Sequence, residues 1–189
     1  MSADVVVTRA TRADRDRVVA TVVAAFATDP AFRFFFPADE TYADQATVFA
    51  RYLFDKRVDL GTVWIVDGGA SVAMWQASTA ETPGLSLDLP DDALARIEAA
   101  DVEVHALLPG TPYFYLGILA THPHAAGRRW GRAVMAAGLA AAADLGLPAY
   151  LETTTPANVA LYERAGWRVT GTAQAGPLPL WVLSHRGGA

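Results

Sequence analysis

The residues whose types and spacing could do chemistry gather in the second half of the chain. Asn158 and Tyr162 stand four positions apart in Asn158 to Ala165, a stretch that reads as a short helix closed by Gly166, so both fall on one helical face. A tyrosine there is either a half-buried packing aromatic or an acid, because a phenol with pKa about 10 keeps its proton at neutral pH. Asn158 could cap the helix or touch a ligand from the same face. Glu152 sits in Ala149 to Thr153, an otherwise apolar strand, on the same side as Tyr150. A charge so placed is rarely buried unpaired, which leaves an ion pair with a nearby arginine or a role in proton transfer. His124 to Trp130 forms a loop with Gly127, Arg128 and Arg129, and it runs into a helix over Gly131 to Leu145 that carries Arg132. Such a loop turns backbone N–H groups outward where the helix dipole is positive, a setting for phosphate or pyrophosphate.

These groups need a frame. Tyr113 to Ala120 is a bulky apolar run of strand length, ended by Thr121, His122 and Pro123, and Gly146-Leu147-Pro148 stops the helix that follows the loop. Upstream, Val5 to Ala10 reads as a strand, and Thr11 caps a helix with Val18, Val19, Val22, Val23 and Phe26 on its inner side. Asp29-Pro30 ends that helix, with Asp29 as a turn or cap residue. Phe32, Phe34, Phe35 and Phe36 crowd the next segment, as core packing or as an aromatic wall for a ligand, before an amphipathic helix over Tyr42 to Val58. Gly61 to Val66 and Ala70 to Gln76, holding Trp64 and Trp75, form a hairpin turned at Asp67-Gly68-Gly69. Residues 77–90 read as a mobile Ser/Thr/Pro/Gly connection into a helix from Asp91 to Leu107. Trp167 to Ala173 and Leu180 to His185 close the chain as strands joined by a loop over Gln174 to Pro179, with Arg186 to Ala189 frayed. The pattern gives one mixed α/β domain over 1–189 with about seven strands.

The order of strand, H-P-H-A-A-G-R-R-W-G-R-A loop, helix, Y-L-E-T strand and N-V-A-L-Y-E-R-A-G-W resembles the acetyl-CoA site of the GNAT acyltransferases. Within them it is most similar to puromycin N-acetyltransferase-like proteins, a likeness that extends to F-A-T-D-P (Phe26 to Pro30) and Gly61 to Trp75. The resemblance implies a mostly antiparallel sheet whose fourth and fifth strands splay, with acetyl-CoA in the V between them. It implies that the main chain of Leu119, Ala120 and Thr121 holds the pantetheine arm, with a backbone N–H near Leu119 as oxyanion donor. It assigns the pyrophosphate to Ala126, Gly127, Arg128, Arg129, Trp130, Gly131 and Arg132, and further cofactor contact to Asn158 and Tyr162. Two positions depart from the family pattern: Ala126 replaces a polar side chain and Arg129 an expected glycine.

Acetyl transfer from a thioester to an amine needs an unprotonated amine, a donor to the carbonyl oxygen and an acid for the leaving thiolate. The resemblance makes Tyr162 the acid and Glu152 a base, direct or through water, or an anchor for the acceptor ammonium. It makes Asp29, Phe32, Phe34, Phe35, Phe36, Tyr42 and Trp75 the acceptor side. The expected acceptor is a small-molecule amine, with an aminoacyl or amino-nucleoside antibiotic, and hence antibiotic resistance, as the specific expectation. A protein amine, or acyl-CoA binding without catalysis, are the alternatives.

Composition removes several other classes. The net charge of -5 and the pI near 5.3 speak against nucleic acid as partner. With no cysteine there is no disulfide, no thiolate metal site and no cysteinyl intermediate, which suits a reducing cytoplasm. Met1 to Arg17 is too rich in Asp and Arg for a signal peptide, and Ala133 to Ala143 is too short an apolar run to span a bilayer. His122 and His124 lack further ligands, so no metal is expected. Gly127 to Gly131 lacks both the P-loop ending and the Rossmann spacing. A monomer or homodimer is expected.

Overall fold

The computed structural model of the chain describes residues 5–81 and 86–186, so part of the expected connection over 77–90 and most of the expected frayed tail lie outside the described residues. Seven strands make one sheet in the order β1-β2-β3-β4-β5-β7-β6. They are β1 (Val7–Arg9), β2 (Val63–Val66), β3 (Ser71–Ala77), β4 (Phe114–Thr121), β5 (Ala149–Thr153), β6 (Arg168–Ala175) and β7 (Leu178–His185). Every neighbouring pair is antiparallel except β4 and β5, which run parallel. A parallel pair needs a crossover, and the helix α5 (Trp130–Asp144) supplies it.

The two faces of the sheet are covered differently. On one, α1 (Arg15–Ala25) and α3 (Asp39–Val58) bring Val18, Val22, Phe49 and Phe54 against Ile65, Val72, Met74 and Ile118. Farther along, α4 (Asp91–Leu107) lays Ala100 and Val104 on Leu178, Leu180 and Val182. On the other face, α5 sets Val134, Met135 and Ala142 against Trp75, Phe114 and Leu116, and α6 (Pro156–Arg164) adds Tyr162. The close seat of α5 depends on Gly138, where an added Cβ would stand 2.1 Å from Trp75 Nε1. Trp75 is 0% exposed and stacks on Phe114 at 5.2 Å.

Three local expectations change. The phenylalanine segment is helical: α2 (Pro30–Phe35) starts because Asp29 accepts from the N–H groups of Ala31 (2.9 Å) and Phe32 (3.1 Å) and Pro30 fits the first turn. Asp29 therefore starts a helix, while α1 has already ended at Ala25. The expected loop over Gln174 to Pro179 shrinks to Gly176-Pro177, because Gly176 takes a positive φ of 57° and closes a tight turn.

Candidate active site

The site is made by a break in the sheet. β4 and β5 pair only at Phe114 with Ala149, Tyr115 with Tyr150 and Leu116 with Leu151. Past Leu116, Met74 faces Ile118 while Trp75 faces Leu116, so Gly117 is an extra residue in β4. A bulge bends its strand, and the pairing to β5 stops there. From Gly117 to Thr121, β4 stays paired with β3 and leaves its other edge open. A cleft of about 340 Å³ lies at the split, with Gly117, Ile118 and Leu119 of β4 and Leu151, Glu152 and Thr153 of β5 in its wall.

Strand alternation puts Leu151 into the core beneath α5 and turns Glu152 to the cleft. Glu152 is partly buried, and its Oε2 is sealed off with no hydrogen-bond partner among the described residues. Burial pushes its pKa up to about 8, against a smaller downward pull from Arg57. Of the two readings of Glu152, the direct ion pair is not made among the described residues, although Arg57 lies close enough to act on its charge. Tyr162, 9% exposed, reaches the same cleft from α6 and meets Trp167 edge-on at 6.1 Å. Burial, then the charge of Glu152, push its phenol up to about 12. Asn158 lines the cleft one turn earlier, exposed at its rim, and Thr155 rather than Asn158 holds the cap position of α6.

At the far end of β4, the 3₁₀ turn Pro123–Ala125 leads through exposed Ala126, Gly127 and Arg128 to α5. Arg129 is the N-cap of α5, with φ 60° and ψ 16°, the left-handed region that glycine occupies freely. The chain thus keeps a glycine-like backbone with an arginine in it, at a cost of ~1 kcal/mol. The first N–H groups of the helix, those of Trp130, Gly131 and Arg132, have no intrahelical partner, and among the described residues no side chain caps them. Arg128 lies over the Trp130 ring at 4.9 Å, and Gly131 sits against Thr121, where a Cβ would meet Oγ1 at 3.2 Å. Ala120 and Thr121 are tied to β3 through Ser71, whose hydroxyl donates to the Ala120 carbonyl at 3.2 Å and bonds the Thr121 hydroxyl at 2.8 Å.

The expected acceptor wall divides. Asp29, Phe32 and Phe35 line the cleft, and burial raises the Asp29 pKa. Trp75 does not: the pleat of β3 sends it to the α5 face. Phe36, 0% exposed, is in the core between α2 and α3. Tyr42 is buried with its hydroxyl donating to the Val23 carbonyl at 3.2 Å and Arg33 stacked over its ring. Phe34 packs beside Phe35, outside the cleft. In their place the cleft has Phe26, Phe49, Tyr52, Asp101 and, above all, Arg57. Sequence reasoning missed Arg57, although a signal exists: it continues the stripe of Ala46, Phe49, Ala50 and Phe54 on α3, a cation where an apolar residue is due.

The sequence model of the acetyltransferase (GNAT) family matches residues 26–167. The chain belongs to that family. Its fold is also that of several solved proteins. A histone acetyltransferase HPA2 and related acetyltransferase from Corynebacterium glutamicum superposes with a TM-score of 0.73 at 22% identity, covering 100% of this chain and 98% of its own. A mosquito arylalkylamine N-acetyltransferase-like protein gives 0.61 at 13% identity, over 96% and 99% of the two chains. A polyamine N-acetyltransferase of Drosophila melanogaster that forms N-acetylagmatine gives 0.65 at 13% identity, over 97% and 100%. Among the described residues no helix is long and apolar enough to cross a membrane, and no cluster of three or more metal-ligating side chains is present.

Proposed function

We propose that the protein is an N-acetyltransferase that moves an acetyl group from acetyl-CoA to the primary amine of a small molecule, by direct attack in a ternary complex. The observation that carries this reading is the open edge of β4 meeting a buried carboxyl group and a buried phenol in one cleft. Coenzyme A suits what the chain offers. The unpaired edge from Gly117 to Thr121 can bond an extended pantetheine arm as an added strand would, and the free amides of α5 with Arg128, Arg129 and Arg132 can take the pyrophosphate. A thioester bound there supplies the acetyl group.

The residues divide the proton work. The attacking nitrogen must lose its proton before it bonds to the carbonyl carbon, and Glu152, poised near pH 8, accepts that proton directly or through water. As the carbon–sulfur bond breaks, the sulfur must gain a proton to leave as the thiol. Tyr162 is protonated at neutral pH and lines the same cleft. A phenol at about 12 facing a thiolate near 8.5 gives up its proton at a cost of ~5 kcal/mol. That is steeper than the ordinary phenol value suggests. Tyr162 therefore acts first as a hydrogen-bond donor to the sulfur, transferring its proton as the C–S bond opens.

The aromatic wall of Phe26, Phe32, Phe35, Phe49 and Tyr52 offers a small acceptor an apolar surface, which favours it over a protein side chain. The finer expectation of an aminoacyl or amino-nucleoside antibiotic rests on the sequence likeness to puromycin N-acetyltransferase-like proteins. The solved proteins similar in fold carry the names of a histone acetyltransferase and related acetyltransferase, an arylalkylamine N-acetyltransferase-like protein and a polyamine N-acetyltransferase, which supports amines in general. The test is thiol release from acetyl-CoA across a panel of amino acids, aminoacyl amides, arylalkylamines, polyamines, puromycin and a lysine peptide. Turnover with one small-molecule class supports the reading; coenzyme A binding with no turnover on any member would identify a binding module instead.

A further inference from the structure

The mechanism above leaves one buried charge without a task. Arg57 is 4% exposed, yet it lines the cleft. Its Nη1 donates to the Leu53 carbonyl at 2.9 Å, its Nε is buried with no partner, and among the described residues no carboxylate pairs with it. Its Nη2 lies over Gly117, where an added Cβ would be 2.9 Å away, so the guanidinium rests on the bulge that opens the cleft. A buried cation with no direct ion pair is costly, and a ligand carboxylate would complete it. Glu152, on the wall of the same cleft, has an equally sealed Oε2 with no hydrogen-bond partner among the described residues. Two unsatisfied groups of opposite type thus border one space walled by Phe26, Phe32, Phe35, Phe49 and Tyr52.

We propose that the acceptor is an amino acid with a large apolar or aromatic side chain, its carboxylate bonded to Arg57, its amine directed at Glu152, and its side chain against the phenylalanine wall. The inference rests on the acetyl-transfer reading and narrows it. A guanidinium offers a planar pair of donors that matches a carboxylate. Asp29 and Asp101 also border the cleft and oppose a negative end placed beside them, while Lys56, next to Arg57 on α3, adds a second cation. The negative end of a zwitterion is thus drawn toward the end of α3.

The experiment compares phenylalanine, phenylalaninamide and 2-phenylethylamine as acceptors for the wild type, Arg57→Gln and Arg57→Lys. Wild type should prefer phenylalanine in kcat/KM by about 10- to 100-fold, the usual worth of a hydrogen bond to a charged group. Because Arg57 also acts on Glu152, the readout is the ratio among the three acceptors: Arg57→Gln should bring that ratio to about one, and Arg57→Lys should restore part of the preference. Equal use of the three by wild type, or an equal loss on all three in Arg57→Gln, would overturn the inference and leave acetyl transfer standing. Calorimetry with 3-phenylpropionate and 3-phenylpropionamide needs no turnover and reads the site even if acetyl transfer itself fails. Tighter binding of the acid, lost in Arg57→Gln, supports the role of Arg57; equal binding or none contradicts it. If Arg57→Gln does not fold, the wild-type acid-to-amide ratios decide in the same way.

Discussion

Replacing Glu152 by Gln asks whether the cleft really holds a carboxyl group that resists ionisation. Burial raises its folded-state pKa from 4.5 to about 8, so the folded protein keeps a proton there that the unfolded chain has already released. The sign follows: the stability linked to this proton is fully present below about pH 4.5 and is lost as pH rises through about 8. A shift of that size corresponds to ~5 kcal/mol as a ceiling, at 1.36 kcal/mol per unit. The side chain keeps some solvent contact, so roughly 2 kcal/mol is the expected effect. Glu152→Gln carries no ionisable group, and its amide resembles the protonated acid. In urea melts the variant should match the wild type near pH 4.5 and exceed it by about 2 kcal/mol at pH 8.5. Its turnover should fall, and the rise in wild-type rate through about pH 8 should vanish. A stability difference that is the same at both pH values would refute the argument, since it would mean that Glu152 is ionised in the folded protein throughout.

Further expectations follow from single contacts. Tyr162→Phe removes only the hydroxyl, so turnover should fall by about 10² to 10⁴ while coenzyme A affinity and melting temperature hold; near-normal turnover would hand the proton to another group. Arg129→Gly relieves the left-handed strain, so it should gain ~1 kcal/mol in a denaturant melt. It should bind coenzyme A less tightly, and tighter binding would show that the Arg129 side chain does not assist. Gly138→Ala forces a Cβ into Trp75 and should cost ~3 kcal/mol or more by the same melt, with α5 displaced; a loss under 1 kcal/mol would show that Trp75 can move away.

The frame was legible because its signals are local. Apolar runs and Gly/Pro punctuation mark β4, α5, β5 and α6 to within a residue or two, and the Asp91 to Leu107 helix is found as read. Glu152 and Tyr162 could be singled out because strand and helix periods place them. What stayed hidden depends on packing between distant elements. Which aromatic residues face the cleft is set by the pleat of β3 and by the twist of α2, and nothing within Phe32 to Phe36 tells Phe35 from Phe36. The capped helix α2 was missed because four phenylalanines mask the Asp29-Pro30 start signal. Gly117 reads as a weak spot in a strand, and only the register with β3 reveals the bulge that splits the sheet. Arg57 is one of two cations in the last turn of α3, and its burial comes from the fold.

The most direct measurement is calorimetric titration of the protein with coenzyme A at low and high salt. Binding with a favourable heat, weakened as salt rises and weakened again when Arg128 and Arg132 are replaced by Ala, is the predicted result, since the pyrophosphate meets exposed arginines at the start of α5. No detectable binding at millimolar coenzyme A would contradict the account at its root.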